Sequence, residues 1–565
     1  MNKNPTLPNR FASLLAAVAY LACATASGQE LFAPPGVDAL PDPVRVARTC
    51  GVSSGFQPAV GRFGAFAPPP IASSIVGPCD AQACTPCLEA PLPEPEHHPV
   101  QVDCRAYQTP CSTGDFSADA YFPQPYCAPQ ELDIYNGKYE IWTQRPWVEC
   151  GLPFYDAGPI PVSGTRLGVT NLTQPKFYLY GDYRVAFAQN ELVRGDKTVL
   201  AHRLNLEADL WITSTERFHA FFGPFQEDAD FMRVEEGKFF EELDFFQGDT
   251  DTFFFEGDLG QIYGGLSGQY APIDLPVTAG LVPLLFQNGV WALDAIVGGA
   301  VTIPAQNSPV LDWSNYDVTL FAGFDRVSSA ALGFEEHAAT VVGATTFIES
   351  RGGYFEIGYG YVSDNDLDAA GADRSYHNLG VSYTRRYANR VSNSLRMILN
   401  TGQESDVSRQ TADGVLLLVE NSLLTENPYN VIPYLNFFAG FDRPQPLVRA
   451  GAFGGVLFNS GILFQSDQLT GYPTLDGSGN NTYGFALGVD LLSPDFDQQL
   501  IVEMAALGVS SDQSDRTAAG DQAGLGLRWQ RRLSEAHLIR ADAMYGWLDN
   551  SDNIAGGRVE FRWKF

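Results

Sequence analysis

The chain has 565 residues and carries 35 Lys and Arg against 66 Asp and Glu, a formal net charge of −31. Such a charge repels phosphate backbones, and no long Lys/Arg run segregates a basic patch, so nucleic acid is excluded as a partner. With 38 Phe, 24 Tyr, 8 Trp and 55 Gly beside only 5 Met, the composition points to β structure with many tight turns. Aromatic side chains suit pleated surfaces and glycine supplies positive φ, so a helical bundle is disfavoured.

Residues 1–28 read as a secretory signal peptide. Lys3 and Arg10 precede an apolar stretch over 11–22, and the small residues Ala24, Ala26, Ser27 and Gly28 follow, which places cleavage near Ala26 or Gly28. Cys23 raises a lipoprotein alternative, but Tyr20 stands where such sites carry Leu. No later run is long and apolar enough for a transmembrane helix, which still leaves barrels as a way to span a membrane.

Residues 29–165 form a Cys/Pro-rich, mostly irregular region. Cys50, Cys79, Cys84, Cys87, Cys104, Cys111, Cys127 and Cys150 all lie here, and residues 151–565 contain no cysteine. An even number in an exported chain reads as disulfides, whose pairing the sequence does not choose. Cys84 and Cys87 form a CxxC close to Cys79, His97 and His98, a set that could ligate zinc. The second CxxC that would complete a tetrahedral site is missing, and export favours disulfides.

From residue 166 to 565 the pattern has period two, which places two environments on the two faces of each strand. Leu206, Ala208, Leu210 and Ile212 alternate with Asn205, Glu207, Asp209 and Trp211. Tyr483, Phe485, Leu487, Val489 and Leu491 oppose Thr482, Gly484, Ala486, Gly488 and Asp490. At the end of the chain Val559, Phe561, Trp563 and Phe565 oppose Arg558, Glu560, Arg562 and Lys564. Polar, Gly- and Asp-rich spacers separate the strands, some long (363–375, 401–413, 510–521) and some short (350–353, 549–553). An up-and-down membrane barrel has this asymmetry. A soluble sandwich would pack its apolar face inward, whereas a barrel turns that face to lipid and lets a water-filled lumen accept Gly, Arg, Asp and Ser. The small and charged residues opposite the aliphatics, and the aromatics at strand ends, favour the barrel. At about 22–25 residues for each strand with its connection, this stretch holds about 16–18 antiparallel strands.

On these features the chain resembles a bacterial outer-membrane porin. The terminal Val559, Phe561, Trp563 and Phe565 are similar to the family's C-terminal assembly signal, which implies the barrel-insertion machinery as a partner. Residues 258–295 loosely resemble the phosphate-selective and alginate-export types, without the basic residues expected of an anion-selective pore. The resemblance implies an outer-membrane location, contact with outer-membrane lipid, and passive diffusion of small hydrophilic solutes or ions. Trimers are frequent in that family, so a homo-oligomer is compatible with it.

The candidate lumen-lining residues are Arg184, Arg203, Glu207 and Asp209 near the start of the barrel and Arg528, Arg532, Arg540, Asp542, Arg558, Glu560 and Arg562 near its end. Closure would bring the two groups side by side as a basic ladder interleaved with acids. Such charges either bias ion traffic or merely pair and solvate the lumen. The most acidic segment, 227–258, is a candidate constriction loop, a weak Ca²⁺ site or a plain outer loop. Seven scattered His and the lack of a nucleophile elbow, a zinc-protease helix or a phosphate loop give no catalytic site, no metal site and no cofactor. The expected function is a passive porin. The alternative is a barrel-anchored surface structural or adhesive protein without a conducting pore.

Overall fold

The computed structural model describes residues 146–151 and 163–565, apart from 225, 228–229, 241–249, 334–338, 366–372, 404–411 and 512–519. The chain divides into two compact units. The described residues belong to the one that takes in 143–154 and 161–565, and the other, 28–142 with 155–160, lies outside them. The signal peptide and seven of the eight paired-cysteine candidates, all but Cys150, likewise fall outside the described residues.

Eighteen strands close into one antiparallel barrel, at the upper limit of the sequence count. They are β1 (Lys176–Leu192), β2 (Gly195–Trp211), β3 (Arg217–Phe222), β4 (Thr250–Asp258), β5 (Pro276–Phe286), β6 (Ala292–Ser308), β7 (Trp313–Asp325), β8 (Ala339–Ser350) and β9 (Gly353–Asp364). The second half consists of β10 (Tyr376–Tyr387), β11 (Val391–Thr401), β12 (Asp413–Leu423), β13 (Val431–Arg443), β14 (Thr482–Leu492), β15 (Gln498–Val509), β16 (Gln522–Arg532), β17 (His537–Leu548) and β18 (Ile554–Lys564). Each strand pairs with its neighbour in sequence, and β18 returns to β1 in a continuous ladder from Asp182–Lys564 to Glu191–Ala555. Closure removes the unpaired edges that an open sheet would expose.

Alternation sets which face looks out. On β18, Val559, Phe561 and Trp563 are exposed, whereas Arg558 and Glu560 are buried on the other side. Leu525 and Leu527 on β16, Tyr545 and Trp547 on β17, and Tyr483 and Leu487 on β14 also look outward. The apolar side chains therefore form the outer surface of the ring. On β17 the outward aromatic positions run from His537 to Trp547, roughly 33 Å along a strand and about 25 Å in height once tilted as barrel strands are.

Connections differ between the two ends. The rim that carries the chain's C-terminus has turns over 212–216, 309–312, 351–352, 388–390, 493–497 and 533–536. At 351–352 the turn has only two residues, both with positive φ, Arg351 at 56° and Gly352 at 70°. That geometry matches the twist of a two-residue hairpin and suits glycine. The distal rim carries longer connections, among them 326–338, 444–481 and 510–521.

One connection on the C-terminal rim holds a helix, α1 (Leu259–Ser267). Its start is fixed by the Asp258 side chain, which accepts from the Gln261 N–H at 2.9 Å, and its end by Gly268 in the left-handed region. Glu216 ties this corner together. Its carboxylate accepts from Thr213 Oγ1 at 2.5 Å, Thr215 Oγ1 at 2.7 Å, Asn171 Nδ2 at 2.8 Å and the Asp258 N–H at 3.4 Å. Burial alone would raise the Glu216 pKa, but these donors outweigh it and hold the carboxyl below its ordinary value of 4.5. A depressed carboxylate stabilises the fold above its unfolded pKa, and that contribution is lost as pH falls through the folded value. Amide-exchange protection of α1 is therefore expected to fall on acidification below the ordinary carboxylate range. In Glu216→Gln it should already be reduced at neutral pH and lack that step.

Candidate functional site: the barrel interior

The interior has two storeys. Towards the C-terminal rim the inward positions are polar and charged. Towards the distal rim they are apolar residues, glycines and asparagines, and many of them pack against a segment that leaves the wall. That segment, 444–481, connects β13 to β14 and folds into the barrel instead of projecting away from it.

The sequence of 444–481 explains its path. Leu447, Val456, Leu457, Leu463, Phe464 and Leu475 are all buried, and they join the inward residues Ile398, Leu416, Phe438 and Leu507 in one apolar cluster. Leu469 reaches the opposite side of the ring and packs on Ala186, Val199 and Ala201. Trp291, which follows β5, has no exposed surface and lies at the centre of this packing. A side chain on Gly358 or Gly380 would meet the Trp291 ring at 2.5 Å, so these two positions must lack one for the indole to lie against the wall. The indole N–H donates to Asn378 Oδ1 at 2.8 Å.

A segment inside a barrel must have its backbone satisfied there. Inward amides of the wall do this: Asn190 donates to the Thr470 carbonyl at 2.9 Å, Asn436 to that of Ser460 at 2.8 Å, and Asn378 and Asn400 to that of Gln445 at 3.0 Å each. Glu503 on β15, only 1% exposed, accepts the N–H groups of Ile462 and Leu463 at 2.9 Å each and the Tyr434 hydroxyl at 2.5 Å.

The charged storey contains most of the residues singled out from the sequence. Asp542 sits between Arg528 at 2.7 Å, Arg540 at 2.8 Å and Arg558 at 2.8 Å. Arg558 also reaches Asp467 of the inward segment at 2.5 Å and lies over the Tyr472 ring at 5.5 Å. Across the closure seam Asp182 meets Arg184 at 2.5 Å and Arg562 at 3.5 Å, and Arg562 approaches Glu560 at 3.8 Å. Arg203 donates to Asn205 Oδ1 at 2.5 Å and lies 4.0 Å from Asp251. Asp209 accepts from Tyr180 at 2.8 Å and meets His219 at 2.9 Å and Arg217 at 3.3 Å. Glu207 is half-buried on the same face of β2 as Asp209. Arg532 stands at the C-terminal rim, about half exposed, paired with Asp497 at 2.6 Å and Glu535 at 2.8 Å.

The N-terminal and C-terminal groups are thus brought side by side, and each arginine of the ladder has a carboxylate within ion-pair distance. Sequence reasoning missed Asp182, Asp467, Glu503, Arg396 with its partner Glu420 at 3.0 Å, and the whole inward segment. The acidic stretch 227–258 is described only in part, residues 228–229 and 241–249 lying outside the described residues. Within it Arg233–Glu235 pairs with β2 above β3, Lys238–Phe240 pairs with Arg233–Glu235, and β4 is a wall strand. Among the described residues no group of three or more His, Cys, Asp or Glu is placed to hold a metal ion.

In the terminal assembly-signal positions, Val559, Phe561 and Trp563 face outward. Phe565 is covered: its ring stacks on Trp147 with centroids 3.6 Å apart, and its backbone exchanges two hydrogen bonds with Gly181.

A closed antiparallel ring with an apolar exterior, charged interior and turns that are short at one rim defines a transmembrane β-barrel. The chain matches no established family model and no curated protein. Among solved structures it is similar to OccK5 (OpdH) of Pseudomonas aeruginosa, at 9% identity and TM-score 0.43 over 69% of this chain and 98% of that one. OccAB4 of Acinetobacter baumannii gives 8% identity and TM-score 0.44 over 68% and 97%. Wzi of Escherichia coli, an outer-membrane protein involved in group 1 capsule assembly and a carbohydrate-binding β-barrel, gives 15% and 0.40 over 68% and 85%. The architecture described above rests on the chain's own strand register.

Proposed function

We propose that the chain is an outer-membrane porin through which small hydrophilic solutes or ions pass passively. The C-terminal rim would face the periplasm and the distal loops the exterior, because short turns are the periplasmic ones in such barrels. The observation that carries this reading is the inversion of the usual protein pattern: aliphatic and aromatic side chains outside, arginines and carboxylates inside, around a ring of 18 strands. Rings of this size are wide enough for an aqueous channel. Solutes would pass beside the inward segment, which acts as the constriction. Arg184, Arg203, Glu207, Asp209, Arg528, Arg540, Asp542, Arg558, Glu560 and Arg562 would line the path and Arg532 its periplasmic rim. Since the ladder is paired, it supports no choice between anions and cations.

A second reading is favoured by the apolar packing of the distal storey. If that packing closes the ring, the barrel is an anchor for a surface role and does not conduct. Planar-bilayer recording on the detergent-purified, heat-modifiable barrel separates the two. Discrete conductance steps are expected, and a folded sample that stays silent at every voltage rejects the porin reading in favour of the anchor.

A further inference from the structure

Outside the lumen, the connection between β4 and β5 presents apolar side chains that nothing in the barrel covers. Leu259, Tyr263 and Leu266 recur at helical spacing along one face of α1, and Tyr270 and Ile273 extend the row on the way back to β5. All five are exposed, Leu266 by 76% and Tyr270 by 87%. The other face of α1 carries the buried Gly260, Gly264 and Gly265. A side chain on Gly265 would strike the Leu167 carbonyl at 2.1 Å, so the helix lies directly on the chain that leads into β1. That chain adds the exposed Val169 and Leu172. From 259 to 273 the sequence has no Asp, Glu, Lys or Arg. An exposed apolar surface of this extent marks an interface.

The path of the wall into the helix identifies what that surface meets. On β4, Glu256 turns inward to Arg217, whereas Phe253 and Phe255 lie on the outer side and pack against the exposed Phe218 of β3 at centroid distances of 6.5 and 5.2 Å. Leu259 has the parity of Phe253 and Phe255, and its N–H donates to the Leu275 carbonyl at 3.0 Å, so the ladder runs unbroken up to the helix. The apolar row of α1 therefore continues the outward row of the wall, and Leu259 follows Phe255 by about 13 Å along the strand, or about 10 Å in height once tilted. A helix in the membrane interface seats its apolar face about 5–10 Å into the headgroup boundary, and tyrosine favours that boundary. The wall is also shortest here. β3 has six residues and β4 nine, and six residues cover about 15 Å of an apolar band of about 25 Å.

We propose that α1, the return through 269–273 and the loop 167–172 form a platform that lies in the periplasmic leaflet of the membrane, with Tyr263, Leu266 and Tyr270 among phospholipid headgroups and upper acyl chains. The platform lengthens the apolar surface where β3 and β4 leave it short, and so fixes the depth of the barrel on that side. It rests on the membrane-barrel reading and adds to it a lipid contact outside the wall.

Photocrosslinking of the full chain, reconstituted in vesicles of phosphatidylethanolamine and phosphatidylglycerol, tests this. p-Benzoylphenylalanine is placed in turn at Leu266, at the outward Leu527 of β16 as the lipid-facing reference, and at the exposed Asp552 of the β17–β18 loop as the water-facing one. The yield of phospholipid adduct at Leu266 is expected to fall within about threefold of that at Leu527 and roughly tenfold or more above that at Asp552. With the probe at Tyr263, Leu266→Asp combined with Tyr270→Asp should lower the adduct severalfold, because charge is costly among acyl chains. Both side chains are exposed, so heat-modifiable migration should stay unchanged. Adducts at Leu527 with none at Leu266, crosslinking of Leu266 to a second copy of the chain in place of lipid, or an unchanged yield in the doubly substituted chain overturns the platform and leaves the barrel standing. Absence of lipid adducts at Leu527 as well removes the membrane-barrel reading, and the platform with it.

Discussion

Replacing Glu503 with alanine is expected to loosen segment 444–481 and raise single-channel conductance severalfold, with frequent switching between levels. The carboxyl group is buried and serves three donors at once, the Ile462 and Leu463 N–H groups and the Tyr434 hydroxyl. A buried donor left without an acceptor costs about 1–3 kcal/mol, so the three together amount to roughly 3–9 kcal/mol. Nothing comparable is lost from the wall, because the backbone ladders of β15 with β14 and β16 do not involve the side chain. The effect should therefore fall on the inward segment while the ring stays closed. Hydrogen exchange of 455–481 reads this directly, and amides of 461–464 should lose their protection. Glu503→Gln keeps one acceptor oxygen and the shape, and is expected to lie between. Unchanged exchange in Glu503→Ala would show that the apolar cluster holds the segment without this anchor. Faster exchange with no rise in conductance would instead place the obstruction elsewhere in the ring.

The wall of this barrel was legible in the sequence because alternation is a local signal. Val559, Phe561 and Trp563 against Arg558, Glu560 and Arg562 state both faces of β18 within eight residues, and the register across the closure seam follows from the same alternation on β1. The pairing of Arg528, Arg540 and Arg558 around Asp542 was half legible. Adjacent strands place these residues on one face, but Asp467 comes from a segment whose position depends on packing across the whole ring. The inward segment itself left a signal that alternation cannot register: Leu447, Leu457, Leu463, Phe464 and Leu475 are too apolar for an outer loop, and long connections without regular structure are usually functional. What fixes a segment inside a ring is burial plus satisfied backbone, and neither is as conspicuous in a sequence as charge. The asparagines at 190, 378, 400 and 436 supply that satisfaction, and read one at a time they are ordinary polar residues on an inward face.

The largest expected loss of order comes from Trp291→Ala. The indole is wholly buried, lies where Gly358 and Gly380 leave it room, touches Phe286 and Phe321 at centroid distances of 5.9 and 6.2 Å, and donates to Asn378. Removing a buried aromatic of this size costs about 3–5 kcal/mol, and the wall is too rigidly paired to collapse into the space. Asn378 Oδ1 would also lose its donor. The backbone contact of Trp291, whose carbonyl accepts the Leu447 N–H at 2.7 Å, survives the change, so the start of the inward segment keeps one attachment. The expected result is a barrel that still migrates as a folded species before heating but at a temperature of conversion several degrees lower, with lost exchange protection around Leu447 and Val448. Gly380→Leu approaches the same site from the other side: it forces a side chain into the indole and should reproduce the defect without deleting the ring. If Gly380→Leu behaves as the native chain while Trp291→Ala does not, the tryptophan matters for its own contacts beyond the wall. If both are silent, the distal storey is not held by this residue, and the weight falls on Glu503 and the asparagine amides.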